Sequence, residues 1–162
     1  MRYFLSLGSN VGQKIDNLAK AVHFMEQEGV KILAASALYE TQPVDISSQP
    51  WFLNQVLEIE SEKDPESLLN VVKAIEQRMG RTLSRSKEPR IIDIDILLAE
   101  EMIFKTKTLE IPHPRLAERN FVLIPLKEIA PDAVHPVLNL TVEDLWRKSS
   151  DRSIVRKWED EK

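Results

Sequence analysis

At 162 residues, with 43% apolar and 30% charged side chains, the chain has the makeup of one folded domain spanning 1–162 rather than of a disordered segment. It contains no cysteine, which excludes disulfides, zinc–thiolate sites, iron–sulfur clusters and thiol nucleophiles, and fits a cytoplasmic setting. A net charge of −4 argues against broad nucleic-acid binding, and no apolar run reaches membrane-spanning or signal-peptide length, so neither nucleic acid nor a membrane is an expected partner.

In chain order, Tyr3 to Leu7 reads as a first strand, and Gly8-Ser9-Asn10-Val11-Gly12 as the turn after it. Ile15, Leu18, Ala19, Val22 and Met25 recur at helical spacing, with Asn10 as a candidate cap, Gln13 three residues on and Gly29 as a stop. Val30 to Tyr39 is predicted as a second strand, Thr41 to Pro50 as a loop, and Phe52 to Glu60 as a third strand. Asp64-Pro65 opens a second helix as cap and first-turn proline; its apolar face is Leu68, Val72, Ile75 and Met79, and Gly80 closes it. Arg81 to Arg90 is a basic loop, Ile91 to Leu98 a fourth strand, and Met102–Lys105 with Leu109–Ile111 a short hairpin. The remainder reads as helical pieces broken by Pro125, Pro131 and Pro136. The order β-α-β-β-α-β with a C-terminal extension is the α+β, ferredoxin-like pattern, an antiparallel sheet with helices packed on it.

Alternation along the fourth strand puts Ile92, Ile94, Ile96 and Leu98 on one face, and Asp93 and Asp95 on the other with Ile91 and Leu97. Two adjacent carboxylates repel unless a cation sits between them. Hard oxygen donors of this kind suit Mg2+, and two ions can be held as phosphoryl transfer uses them; a solvated face paired to lysines is the alternative reading. Arg81, Arg85, Lys87 and Arg90 stand just before the carboxylates, which favours a nucleotide-phosphate site over a plain solvated loop. His113 lies between two prolines, with Arg119 and Phe121 following, and suits either phosphate contact or a structural turn. Phe52 and Asn54 share a strand face near Thr41, Pro43 and Val44; they suit either a flat heterocycle or an ordinary core. The Gly8–Gly12 turn lacks the endings of a P-loop and of a dinucleotide fingerprint, and no nucleophile elbow is present.

These pieces, in this order and spacing, resemble the 6-hydroxymethyl-7,8-dihydropterin pyrophosphokinases of folate biosynthesis. The resemblance runs from Leu7-Gly8-Ser9-Asn10 to about Pro131, through Tyr39-Glu40-Thr41, Phe52-Leu53-Asn54, Ile75-Glu76, Gly80-Arg81, Pro89-Arg90, Asp93-Ile94-Asp95-Ile96-Leu97 and Pro112-His113. It implies a ferredoxin-like core widened to a three-layer α-β-α sandwich, ATP as co-substrate and two Mg2+ ions held by Asp93 and Asp95. It further implies ATP contacts from Glu76, Arg81, Arg85, Lys87, Arg90, Ile96, His113 and Arg119, with Arg81 and Arg90 assisting transfer. Thr41, Pro43, Val44, Phe52, Asn54 and Phe121 are implied to bind the pterin, the two rings sandwiching it. Small-molecule substrates, no obligate protein partner and a monomer are expected. The chain departs from the family at Lys87-Glu88, where a Trp-Gly pair is usual, and at Pro114, where an aromatic can stand. A metal-dependent nucleotidyltransferase or phosphodiesterase would use the same aspartates, and a non-catalytic RNA-binding module would use the sheet-face aromatics; neither accounts for both sets.

Overall fold

The computed structural model describes residues 1–42, 50–80 and 90–159. Its elements are β1 (Arg2–Ser9), α1 (Lys14–Gln27), β2 (Lys31–Ala35), β3 (Tyr39–Thr41), β4 (Phe52–Glu60), α2 (Pro65–Arg78) and β5 (Asp93–Ala99). They continue with β6 (Phe104–Lys105), β7 (Glu110–Ile111), a 3-10 turn (Leu116–Glu118), α3 (Asn120–Ile129), β8 (Val134–His135), β9 (Leu140–Thr141), α4 (Val142–Lys148) and β10 (Val155–Lys157). The main sheet is antiparallel in the order β10-β3-β4-β1-β5, with β2 also on β4.

Helices cover both faces. Tyr3, Leu5 and Leu7 of β1 are fully buried against Leu18, Ala21 and Met25 of α1 and Leu68, Val72 and Ile75 of α2. Truncating any one such leucine costs about 2–5 kcal/mol. On the other face, Val56 and Leu97 join Val122, Leu123 and Leu126 of α3 and Leu145 of α4. The second helix starts as predicted: Asp64 accepts from the Ser67 N–H at 2.9 Å, Pro65 stands in the first turn, and Gly80 ends the element with φ of 101°.

Several expectations are corrected. The predicted Val30–Tyr39 strand is two strands, because Ser36 exchanges bonds with the Val56 backbone between them and breaks the ladder. Thr41 belongs to β3 rather than to a loop, paired with Phe52. The first helix begins at Lys14 and has no side-chain cap; Asn10 is used elsewhere. Its buried stripe includes Ala21 and Phe24, while Ile15 is exposed. In β5 the pairing with β1 shifts between Phe4 and Leu5, so Leu97 is an extra residue and the alternation flips after it. Leu98 therefore joins the α3–α4 side, and Ala99 takes the place predicted for it. Ile91 precedes the strand and packs on the α1–α2 side, away from the aspartates. Pro125 lies inside α3 instead of breaking it, because the burial of Leu123 and Leu126 around it outweighs one lost helical bond. Pro136 sits in the β8–β9 hairpin, outside any helix.

Gly8 stands at a close approach in the sheet. A Cβ there would stand 2.5 Å from Asn54 Oδ1 and 3.3 Å from the Phe52 ring. Gly8→Ala is expected to cost about 1–3 kcal/mol by overpacking. Thermal melting checks this: the Gly8→Ala/Asn54→Ala double variant should melt above Gly8→Ala alone, and an unchanged Gly8→Ala melting point would remove the constraint.

Candidate active site

Gly8 pairs with Asn54 on β4 and with Asp93 on β5; two residues earlier, Ser6 pairs with Val56 and Asp95. Directly opposed residues share a face, so Phe52, Asn54, Gly8, Asp93 and Asp95 line the side of the sheet that α3 covers. Asn54 is buried, and its amide donates to the Thr41 hydroxyl, also buried, across the β3–β4 pair. Phe121 enters the same side from the first turn of α3, with the Arg119 guanidinium 5.5 Å from its ring centre. The sheet thus sets a ring-and-amide surface beside a pair of carboxylates.

The carboxylates are crowded. Burial pushes the Asp95 carboxyl up to about 7, and the neighbouring charges of Asp93 and then Glu76 push the same way. Glu76 is buried, accepts the Ile94 N–H at 2.7 Å and lies 3.4 Å from Lys73 Nζ. It thereby fixes the residue between the two aspartates. Arg90 reaches Asp93 at 3.0 Å, and its Nε is buried without a hydrogen-bond partner among the described residues. A buried donor left in that state fits an anionic ligand. No group of three or more His, Asp or Glu side chains converges on a metal position among the described residues. Two carboxylates with phosphate oxygens and water are what Mg2+ uses, so the donor set fits that ion.

β5 is an outer strand of the sheet, and a cavity of about 310 Å³ lies along it. Asp95, Ile96, Lys73, the Thr106–Glu110 turn and His113 line it. His113 is held by its own N–H to Leu97 O at 2.9 Å, and its Nδ1 accepts from Arg115 N–H at 3.1 Å. The ring proton therefore sits on Nε2, making that atom a donor. Burial, then the Arg119 charge, hold the ring down to about 4.

The structure brings together Thr41, Phe52 and Asn54 on one strand pair, and Asp93, Asp95, Arg90 and Glu76 around the next; Ile96 and His113 share the edge cavity. Pro43, Val44, Arg81, Arg85 and Lys87 lie outside the described residues. Sequence reasoning missed Lys73 and the Thr106–Glu110 turn as cavity walls. Lys73 had a usable signal: it stands one turn before Glu76, an acid on an otherwise apolar helix stripe. Asn10 was also missed in its real role. Its amide donates to Pro50 O at 3.2 Å, its Oδ1 accepts from Arg90 N–H at 2.6 Å, and its own N–H donates to Arg90 O at 3.0 Å.

Paired carboxylates with Arg90 on one of them, beside a ring-and-amide surface, are the chemical features of the site. The family model for 7,8-dihydro-6-hydroxymethylpterin-pyrophosphokinase (HPPK) matches residues 4–131. The chain belongs to that family. It is 45% identical over 134 residues to the 2-amino-4-hydroxy-6-hydroxymethyldihydropteridine pyrophosphokinase of Methylorubrum extorquens, covering 82% of this chain and 85% of that protein. It is 41% identical over 152 residues to the folic acid synthesis protein fol1 of Schizosaccharomyces pombe, covering 93% of this chain but 21% of that protein. The chain therefore spans about a fifth of such fungal relatives. A crystal structure of wild-type Plasmodium falciparum HPPK-DHPS superposes with a TM-score of 0.70 at 20% identity, over 91% of this chain and 40% of that one, which shows a shared fold.

The His113 geometry sets a pH expectation. With a folded value near 4, below the ordinary 6.5, the ring stays neutral in the native protein while the unfolded chain takes up a proton first. The stability it contributes is complete above about 6.5, falls with acidification and is lost by about 4. Ring-proton NMR should give a midpoint near 4 for His113; a midpoint near 6.5 would mean a solvated ring.

Proposed function

We propose that the chain transfers a pyrophosphoryl group from ATP to the hydroxymethyl oxygen of 6-hydroxymethyl-7,8-dihydropterin, giving AMP and the pterin diphosphate, within folate biosynthesis. The observation that carries this reading is the Gly8 register: it sets Asn54 and Phe52 beside Asp93 and Asp95 on one face. Acceptor and polyphosphate then meet over adjacent strands.

In this reading Asn54 and Thr41 meet the polar edge of the pterin, while Phe52 and Phe121 stack on its ring. Pro43 and Val44 follow Thr41 in the sequence and are assigned to the pterin by the family resemblance. Asp93 and Asp95 would hold Mg2+, two ions in the full reading. When bound, the metal neutralises phosphate oxygens and lowers the cost of charge developing in transfer. Arg90 and Arg119 place guanidinium donors on the phosphates, and neutral His113 offers Nε2–H to a phosphate or ribose oxygen. Arg81, Arg85 and Lys87 add positive charge by sequence position. The cavity along β5, with Ile96 as one wall, takes the nucleoside. Glu76 acts through Ile94 by fixing the spacing of the aspartates. Such transfer depends on positioning and charge more than on covalent help from the protein. The chain order and the helix-covered sheet support the ferredoxin-like, three-layer reading; one domain over 1–162, a monomer and the lack of an obligate protein partner are parts of the proposal. Among the described residues no helix is long and apolar enough to cross a membrane, and cytoplasmic placement is part of the proposal.

AMP should appear only when ATP, magnesium and the reduced hydroxymethylpterin are all present; AMP without the pterin would overturn the acceptor assignment. Asp93→Ala and Asp95→Ala should each lower turnover by about 10² to 10³ or more, with circular dichroism unchanged. Retained turnover in either variant removes it from the metal site. Asn54→Ala and Phe121→Ala should weaken pterin binding by about 1–3 kcal/mol in calorimetry while leaving binding of an unreactive ATP analogue in place. Equal loss for both ligands would indicate damaged folding.

A further inference from the structure

The family match stops at residue 131, yet the last described segment touches both walls assigned to the pterin. On one side, α3 begins at Asn120 without a side-chain cap from its own N-cap residue, Arg119. Asp151 supplies the missing acceptor: its Oδ2 takes the Asn120 N–H at 2.8 Å, and its backbone carbonyl takes the Asn120 amide at 3.1 Å. Asn120 immediately precedes Phe121. Burial raises the Asp151 carboxyl, but bonds from the Ser153 and Asn120 N–H groups outweigh it and leave it below the ordinary value, so it is charged at neutral pH. An anionic acceptor at a helix start is favourable both as a cap and against the dipole.

On the other side, β10 pairs with β3, placing Val155 opposite Thr41 and Arg156 opposite Glu40. Gln42 and Ile154 bond reciprocally, Gln42 N–H to Ile154 O at 3.1 Å and Ile154 N–H to Gln42 Oε1 at 3.2 Å. The Arg156 guanidinium lies 4.9 Å from the Trp51 ring centre and 3.5 Å from Glu40. Trp51 immediately precedes Phe52. Three residues separate Asp151 from Val155, so one short stretch holds the start of α3 and the β3–β4 edge together.

We infer that residues 151–157 are a positioning element for the acceptor: Asp151 sets the Phe121 wall, the β10 strand with Arg156 sets the Thr41–Phe52 wall, and the stretch between fixes the width of the pterin slot. This rests on the pyrophosphokinase reading. Among the described residues, none of these bonds ends on a residue lining the edge cavity along β5, so the element acts first on the pterin; its one neighbour on the phosphate side is Arg119, the residue before Asn120. Arg156 is largely exposed and its ion pair contributes little, so its share comes mainly from the ring contact and is the smaller one.

The experiment measures calorimetric Kd for the reduced hydroxymethylpterin and for an unreactive ATP analogue with magnesium, together with kcat and KM. Asp151→Ala should raise the pterin Kd and KM about fivefold, and Arg156→Ala about twofold, with the double variant near their product. ATP-analogue affinity and kcat at saturating pterin should stay within about twofold of the parent. Asp151→Asn keeps an acceptor oxygen and should recover most of the loss, which a merely destabilised variant would not show. Unchanged pterin affinity in Asp151→Ala, or equal loss for both ligands at temperatures where the variant is folded, would overturn the inference. Failure of the parent chain to release AMP on pterin addition would instead overturn the reading beneath it.

Discussion

The space above Gly8 holds the site together. Asn54 and Phe52 crowd into the volume a side chain would occupy, and the same residue is the pairing partner of Asp93 on the other side. Neighbouring strands lie about 4.8 Å apart, so β4 and β5 stand ~10 Å apart across β1. That is the scale of a small heterocycle meeting the end of a polyphosphate. The distance is not set by loops. It is set by backbone ladders on both sides of β1, whose opposite face is anchored by the fully buried Tyr3, Leu5 and Leu7. A slip of one residue in either pairing would turn the functional side chains into the core. The aliphatic face of β5 is therefore as much a part of the site as the aspartates.

The same arrangement carries an electrostatic cost. Burial, and then the nearby charges of Asp93 and Glu76, drive Asp95 well above the ordinary carboxylate range. Glu76 is buried, yet it has a structural use for its charge in the Ile94 N–H and Lys73. Replacing it by an apolar side chain would leave that backbone donor without this acceptor and loosen the strand between the aspartates. The surplus negative charge is what a dication would relieve, and Arg90 beside Asp93 offsets part of it in the meantime. A net-acidic chain is thus compatible with binding a polyanion, because Arg90 stands on Asp93 and Lys73 on Glu76.

Much of this was legible where a residue's chemistry acts locally. Asp64-Pro65 dictates a helix start, Gly80 a stop, and Asp93-Ile94-Asp95 a strand with an apolar and an acidic face. Features that depend on a distant partner were not legible. The bulge at Leu97 is visible only against β1, and Ser36 breaks its strand only because Val56 answers it. Pro125 reads as a breaker until the buried leucines around it are seen. Glu76 was assigned to the nucleotide by resemblance; its bond to Ile94 could not be inferred from spacing alone. The C-terminal strand is the largest omission, since a three-residue edge strand after a proline-rich stretch carries no periodicity long enough to register.

Asn10 shows why such non-local terms matter to function. It follows β1 directly, and it is wholly buried. Its side chain bridges Pro50, at the entry to the Phe52 strand, and Arg90, at the entry to the Asp93 strand; its own backbone N–H bonds Arg90 a second time. An aspartate there would keep the acceptor but lose the donor to Pro50, and an alanine would lose both while leaving buried backbone groups without these partners. One residue just past the end of β1 therefore carries the position of the Phe52 strand and of Arg90, the arginine on Asp93. Because both bonds run to backbone atoms, the coupling does not depend on which side chains occupy positions 50 and 90. A shift of β1 in the sheet would move both half-sites as a unit, so the register that aligns Asn54 with Asp93 also aligns the chain segments that feed them.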